Sequence, residues 1–443
     1  MRYNYYKLKK LLLLLLLISL SLPEAFDQRY SFGVIWIGGF SVLIADLVSY
    51  FILLSALLTI FLYGTVEKSQ FTEPLLLLFC ILIIQGLRTI QVYELKDIIK
   101  DLRPIFSWLT IIAFPQLFRN EKTKKYFVKY GIFIAIVSPI IVVLFTIIRY
   151  LIEGTFVTFS QIAEGRIVYV NGSIGYIVAM VGFLYIFTKL RKYQVLFVIL
   201  TILYLISFVL AKSRGLILEF LLVYSSLIIL SIKQRKSILN LHSLIIGVSF
   251  SMIILYLLFR REVSMLLNRF MMTMTIGSLT SGHDLPRISN MWQQFSDFLQ
   301  NPLIGTGLGK SYYGVLGTME GEKLSSPSDS LVIDLSAKTG LIGIISFLLI
   351  LFKYFKLLKI LKLKGLENLP LWEYSFVWSL FITFPYLIFG CIFGNGLWHF
   401  RTPPLYMAFI VSIIESIYFL FQKNEFTKNE NLNKNKTNLT KTL

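Results

Sequence analysis

The sequence predicts an all-α polytopic membrane protein, and three observations lead there. Of 443 residues, 56% are apolar and the mean hydropathy is +0.73, more apolar surface than a soluble core of this size can hide. Apolar stretches long enough to cross roughly 30 Å of hydrocarbon recur along the chain. Basic residues cluster in the short connections between those stretches, the pattern that fixes membrane orientation.

About twelve spans are expected, at 9–23, 45–64, 74–91, 104–118, 131–151, 173–188, 193–211, 214–232, 241–259, 331–352, 373–392 and 403–421. The opening MRYNYYKLKK followed by LLLLLLLISLSLP imitates a secretory signal peptide and is read as an uncleaved first span, because the rest of the chain is equally apolar. Residues 31–43 are apolar but broken by glycine, which suits a re-entrant or interfacial segment on the outer side. An even span count puts both termini in the cytoplasm. The head, residues 119–129, 189–192 and 233–236, the Lys353–Lys364 run and the lysine-rich tail then all fall on one side.

The chain thus divides into nine spans over 1–259, an extracytoplasmic loop with an amphipathic helix over 260–330, three spans over 331–422 and a tail over 423–443. That tail, low-complexity Asn, Lys and Thr, is expected to be disordered. No internal repeat is evident, which weighs against a transporter.

The net charge of +19 arises from the orienting clusters, so nucleic acid is not an expected partner. Cys80 and Cys391 lie in apolar stretches, and His242, His283 and His399 have no ligand spacing, so no metal site or cofactor is expected.

Several cations break the orientation rule. Arg88, Arg103, Arg166, Lys212, Arg214, Arg260, Arg261, Arg269 and Arg287 fall at or beyond the outer boundary, where a cation needs water or a partner. Singly, each can snorkel or pair. Together they suit an outer cavity for a phosphate or diphosphate, whose oxygens match the paired donors of guanidinium. The acids that accompany them are Asp46, Glu219, Asp329 and Asp334. Asp334 and Lys338, four apart on a helix, read first as a self-neutralising intramembrane pair. Asp329 has no such neighbour and sits where the loop re-enters the membrane.

The loop reads as a helix from about Pro286 to Leu299, with Trp292, Phe295 and Leu299 at helical spacing, then a turn at NPLIGTGLGK. Gly305, Gly307 and Gly309 follow an amphipathic segment, not a strand, so close backbone packing is expected of them rather than a nucleotide cradle. Trp292, Tyr312 and Tyr313 can stack on sugar rings or simply pack at the interface.

In the order DLRPIFSWL, LAKSRGLILEF, then Arg287, Trp292 and NPLIGTGLG followed by DSLVIDLSAKTGLIG, the chain resembles the bacterial O-antigen polymerase and ligase superfamily. The resemblance implies a glycosyltransferase fold of the C type in the bacterial inner (plasma) membrane. It implies an enzyme that acts on the outer face upon undecaprenyl-diphosphate-linked glycans, with no cofactor or required metal. Membrane lipids are then partners, and a chain-length regulator and a flippase are candidate protein partners. Arg214 and Arg287 match basic positions thought to hold the donor diphosphate, and Arg103 matches more loosely.

Ligases of the superfamily usually place a histidine eleven residues before the glycine of the GLIG turn, and here that position is Asp329. The departure favours a polymerase of lipid-linked repeat units. The expected catalytic set is Asp329, Arg214 and Arg287. Arg103, Arg166, Arg269, Glu219, Asp334, Trp292 and Tyr312 are expected to bind substrate, with Asp334 or Glu219 as reserve bases and the loop as a lid. Two alternatives stay open: an O-antigen ligase, and a flippase moving the same lipid-linked unit. A peptidoglycan polymerase shares the architecture but not the motif order.

Overall fold

The computed structural model describes residues 2–22, 34–37, 40–153, 253, 256–257, 260, 264, 285–310, 312–314, 324–325, 330–365, 369–393 and 402–441. In order these form α1 (Arg2–Ser21), β1 (Val34–Ile37), β2 (Phe40–Leu43), α2 (Ile44–Tyr63), α3 (Thr72–Thr89), α4 (Leu95–Leu117) and α5 (Glu121–Glu153). There follow α6 (Leu285–Gln300), β3 (Tyr313–Gly314), β4 (Leu324–Ser325), α7 (Leu331–Lys364), α8 (Leu371–Phe393) and α9 (Thr402–Lys441).

The protein is mostly helical, and the eight expected spans within the described residues each overlap a helix. Among those residues, five helices are long and apolar enough to cross a membrane: α2, α3, Glu121–Val142 of α5, α7, and Thr402–Asn424 of α9. The expected spans at 173–188, 193–211, 214–232 and 241–259 fall outside the described residues, apart from helical positions 253, 256 and 257.

α9 is the axis of the described bundle, packed on α4 and α5 and buried along nearly all of its apolar length. Phe409 meets Phe114 of α4 and Phe127 of α5, and Trp108 of α4 stands edge-on to Phe347 of α7. α2 and α4 pack closely, and among their buried residues are the small Ala45, Ser49, Ala56, Ser107 and Thr110, with the Ser49 and Ser107 hydroxyls 3.1 Å apart. Small side chains let helices approach closely in a solvent where apolar burial alone gives no drive. The outward side of α2 exposes Leu54, Leu57, Phe61 and Leu62, as a lipid-facing surface does.

Three local features add detail that the sequence reading lacks. The glycine-broken segment at 31–43 contains a β-hairpin, with β1 antiparallel to β2 and Ile37 paired to Phe40 across Gly38 and Gly39. A Gly-Gly pair between short β-branched and aromatic runs favours such a two-residue connection. α4 begins at Leu95 rather than at Pro104, and Pro104 lies inside it. A proline in a helix removes one backbone bond, and here burial of Ile98, Ile105 and Trp108 on either side of it keeps the helix continuous. α9 continues through the Asn- and Lys-rich tail as far as Lys441, where composition predicts no order. A helix already nucleated by packing extends without a new nucleation cost.

The helices share two ends. At one, Lys9 lies over the Phe118 ring at 5.5 Å, Arg119 and Lys124 reach Glu67 at 3.8 and 3.7 Å, Lys353 donates to the Gln70 carbonyl at 2.8 Å, and Lys423 meets Glu121 at 2.8 Å. The basic head, the 119–125 segment, the Lys353 run and the start of the tail therefore gather together, as the charge pattern requires. The hairpin, the α3–α4 junction, the start of α7, α6 and residues 301–310 occupy the other end.

Candidate functional site

The site is built around a break in α7. Gly340 has φ 67° and ψ −164°, so the ladder of α7 opens there. The amides of Leu341 and Ile342 lose their partners four residues back, the carbonyls of Ala337 and Lys338. Residues 302–307 fill the gap: Leu341 and Ile342 donate to the Pro302 and Leu303 carbonyls at 2.8 and 3.4 Å. Thr306 and Gly307 donate to the Ala337 and Lys338 carbonyls at 2.8 and 3.0 Å. The loop thus stands in for one turn of helix. Irregular backbone at membrane depth persists only when its polar groups are satisfied by protein or water in this way.

That exchange explains the glycines. A Cβ on Gly340 would meet the Leu303 carbonyl at 2.3 Å, and one on Gly305 would meet the Lys338 backbone at 2.5 Å, so the two segments touch backbone to backbone. Gly305, Gly307 and Gly309 all have positive φ. Their role is the close packing that sequence reasoning assigned to them.

α3 and α4 hold the other side of the loop. Gln85 donates to the Ile304 carbonyl at 2.5 Å, Arg88 to the Gly305 carbonyl at 3.1 Å and Thr89 to the Leu308 carbonyl at 2.9 Å. The Gly309 amide donates to Asp101 Oδ2 at 2.8 Å. The second Asp101 oxygen accepts from Lys338 Nζ at 2.8 Å, and Lys338 also lies 3.2 Å from Asp334 Oδ1. From α6, Gln294 Nε2 donates to Asn290 Oδ1 at 3.0 Å and reaches Asp334 Oδ1 at 3.5 Å.

A buried polar cluster of Asp101, Asp334, Lys338, Gln294 and Asn290 therefore joins α4, α6 and α7 under the loop. The expected Asp334–Lys338 pair is present. Asp101 was missed, because the sequence reading started its span at Pro104 and nothing local couples Asp101 to a lysine 237 residues away. Its signal is indirect: a lysine inside a span requires carboxylate partners, and Asp101 stands at the matching end of a neighbouring helix.

Beyond the loop, Asp297 Oδ2 accepts from Lys310 at 2.5 Å and from the Tyr312 hydroxyl at 2.8 Å. Burial, reinforced by Asp297, pushes the Tyr312 phenol well above its ordinary value, so it remains a donor. Tyr312 is accordingly a buried latch, which fits the packing alternative of the two readings its sequence position allows. Trp292 is the reverse, with most of its surface exposed on α6.

The other expected site residues divide sharply. Arg103 lies 3.7 Å from Asp46, which also accepts the Leu43 amide at 3.0 Å and so ties α4 to the hairpin. Arg88 and Arg103 thus meet protein acceptors in separate places. Asp334 is buried beside Lys338, the pair that their i, i+4 spacing suggests first. Arg287 lies on α6 at a register position it shares with Asn290, Gln294 and Asp297. Arg166, Arg214, Glu219, Arg269 and Asp329 fall outside the described residues, and Asp329 directly precedes Ser330, the residue that caps α7.

These features define a multi-pass helical membrane protein in which a glycine loop and an amphipathic helix are docked on one end of the bundle. Residues 196–348 match the family model described as O-antigen ligase, and this places that segment in the O-antigen ligase and polymerase superfamily. The match covers roughly a third of the chain and takes in α6, the glycine loop and the kinked start of α7. Members of that family are glycosyltransferase-like enzymes that act on lipid-linked glycans. No curated protein matches the chain.

Proposed function

We propose that the protein polymerises oligosaccharide repeat units carried on undecaprenyl diphosphate, on the outer face of the bacterial inner membrane. The observation that carries this reading is the family match over residues 196–348, together with Asp329 where ligases of the superfamily usually have histidine. The same segment contains Arg214, Arg269 and Arg287.

A lipid diphosphate is a good leaving group, so the donor side needs cations where charge develops on the phosphate oxygens more than it needs a strong general acid. Arg214 and Arg287 supply them, with Arg166 and Arg269 as further contacts. The acceptor hydroxyl is a weak nucleophile at neutral pH, and a carboxylate base is worth roughly 10² to 10⁴ in rate. Asp329 is assigned that role, with Glu219 in reserve. The burial of Asp334 beside Lys338 makes it the weaker choice of base.

Arg214→Ala and Arg287→Ala abolish chain growth while leaving the protein inserted, and Asp329→Asn slows growth severely. Wild-type chain lengths from all three variants move the site elsewhere. The product left by a deletion separates the alternatives: a single repeat unit on its acceptor for a polymerase, polymer stranded on carrier lipid for a ligase, and a unit trapped inside for a flippase.

A further inference from the structure

α6 has its polarity turned inside out. In a water-soluble fold an amphipathic helix buries its apolar stripe and exposes its charges. Here Asn290 and Gln294, each 1% exposed, and Asp297 face the bundle, held by Asp334, Lys310 and Tyr312. Trp292 and Leu299, 70% and 60% exposed, face away from it with Phe295.

A third face completes the helix. Ser289, Gln293, Ser296 and Gln300 recur at i, i+4, i+7 and i+11, and none of them is buried. Around its circumference α6 therefore presents a polar side to protein, an apolar side, and a polar uncharged flank. One uniform surrounding medium does not account for the last two together.

The apolar side is continuous with a surface that already belongs to lipid. Beyond Gln300 the chain exposes Leu303, whose carbonyl accepts from Ile342 at the kink of α7, and Ile304, whose carbonyl accepts from Gln85 of α3. Immediately past the kink α7 exposes Leu341, Ile342 and Ile345, and α7 is one of the helices able to cross a membrane. The exposed apolar strip runs from the span, across the glycine loop, and onto α6.

We propose that α6 is a membrane-interface helix, with Trp292, Phe295 and Leu299 seated among the acyl chains of one leaflet and Gln293 and Gln300 in the water above. The occupant of the apolar face is bilayer lipid. Trp292 fits the boundary position, since its ring is amphipathic and prefers head-group depth. The proposal rests on none of the reading under Proposed function, but it places the polar face of α6, including the register position of Arg287, level with lipid head groups.

The test uses the full chain in proteoliposomes of phosphatidylethanolamine and phosphatidylglycerol, with nitroxide labels read against molecular oxygen, which concentrates in lipid, and a water-soluble nickel chelate. Cys80, exposed on α3, gives the reference reading for a span. In a Cys80→Ser background, with Cys391 buried, labels are placed by Trp292→Cys, Leu299→Cys, Gln293→Cys and Gln300→Cys. The expected result is oxygen-dominated relaxation at 292 and 299, shallower than the mid-span reading at Cys80, and a severalfold shift toward nickel at 293 and 300. Nickel-dominated readings at all four positions overturn the proposal by placing the helix in water. Shielding of 292 and 299 from both reagents overturns it by showing that protein covers the face. Either label on the apolar face decides the matter if the other variant fails to fold.

Discussion

The two ends of the bundle are joined by different means. At the loop end, backbone meets backbone: residues 302–307 take the place of a turn of α7, and Asp101 grips the Gly309 amide from below. At the basic end, side chains reach across to loops. Glu415 of α9 accepts the Gln70 amide at 2.6 Å and the Ser69 hydroxyl at 3.0 Å, while Gln116 and Glu67 exchange hydrogen bonds between α4 and the α2–α3 connection. Backbone exchange fixes positions tightly and tolerates no added atoms. Side-chain reach tolerates substitution and leaves charge free to set orientation.

If that contrast holds, the largest effect comes from the buried cluster. Removing one partner of a buried ion pair leaves the other charge uncompensated, at a cost of about 3–5 kcal/mol. Lys338→Met, which strands Asp101 and Asp334 together, is expected to fall in that range in denaturant or thermal unfolding of the purified protein. The triple change that also makes Asp101→Asn and Asp334→Asn recovers much of the loss, since no unpaired charge remains. A triple variant no more stable than Lys338→Met assigns the loss to packing instead.

Next come the glycines, which compare the two ends directly. Gly340→Ala adds a methyl 2.3 Å from the Leu303 carbonyl at φ 67°, so left-handed strain and overpacking combine to about 3 kcal/mol. Gly64, at the basic end, has φ 64° and nothing within 4 Å of an added Cβ, so Gly64→Ala costs only the strain, about 1 kcal/mol. Melting temperatures of the two alanine variants measured side by side decide this. Equal losses remove the claim that backbone contact distinguishes the loop end.

Much of this contrast was legible in the sequence, and the part that was not has a physical cause. Within the described residues, hydropathy and charge placed eight expected spans on helices and gathered the basic segments, because both are properties of short windows. The i, i+4 spacing of Asp334 and Lys338 revealed their pair for the same reason. Asp101 and the exchange at Gly340 depend on segments that meet only in the fold, and no local pattern encodes them. Pro104 misled, since a proline reads as a helix start and here lies inside one. The amphipathic pattern of α6 does not say which face meets protein, and three of its polar residues do. Of the expected catalytic set, α6 carries Arg287, while Arg214 and Asp329 fall outside the described residues.

A smaller effect tests the latch beside the loop. Tyr312→Phe removes one hydrogen bond to Asp297 while Lys310 still pairs with it, and the expected loss is about 1 kcal/mol. The variant also carries a pH signature. Folding raises the Tyr312 pKa above the ordinary 10.0, so the folded state favours the protonated phenol. That contribution is whole below pH 10.0 and drains away as pH climbs toward the folded value, because the unfolded chain then loses its proton first. The stability difference between wild type and Tyr312→Phe should therefore stay constant through neutral pH and shrink on the alkaline side. A difference that stays constant past pH 10.0 shows the phenol to be neither buried nor held by Asp297 and leaves the latch to Lys310 alone.

The smallest expected effect lies at the opposite end. Lys423 and Glu121 meet at 2.8 Å, but both are well exposed, and Lys125 pairs with the same carboxylate at 2.7 Å. Exposed pairs of this kind gain little, because water screens them and long side chains lose freedom in forming them. Lys423→Ala should leave the melting temperature unchanged, while adding to the changes that weaken the basic bias of that end. Combined with Lys122→Ala, Lys124→Ala and Lys125→Ala, it should alter the fraction of chains inserted in the correct orientation, read by protease accessibility of the tail, before it alters unfolding. If the four changes lower stability and leave orientation intact, charge at that end holds the fold together just as backbone does at the other.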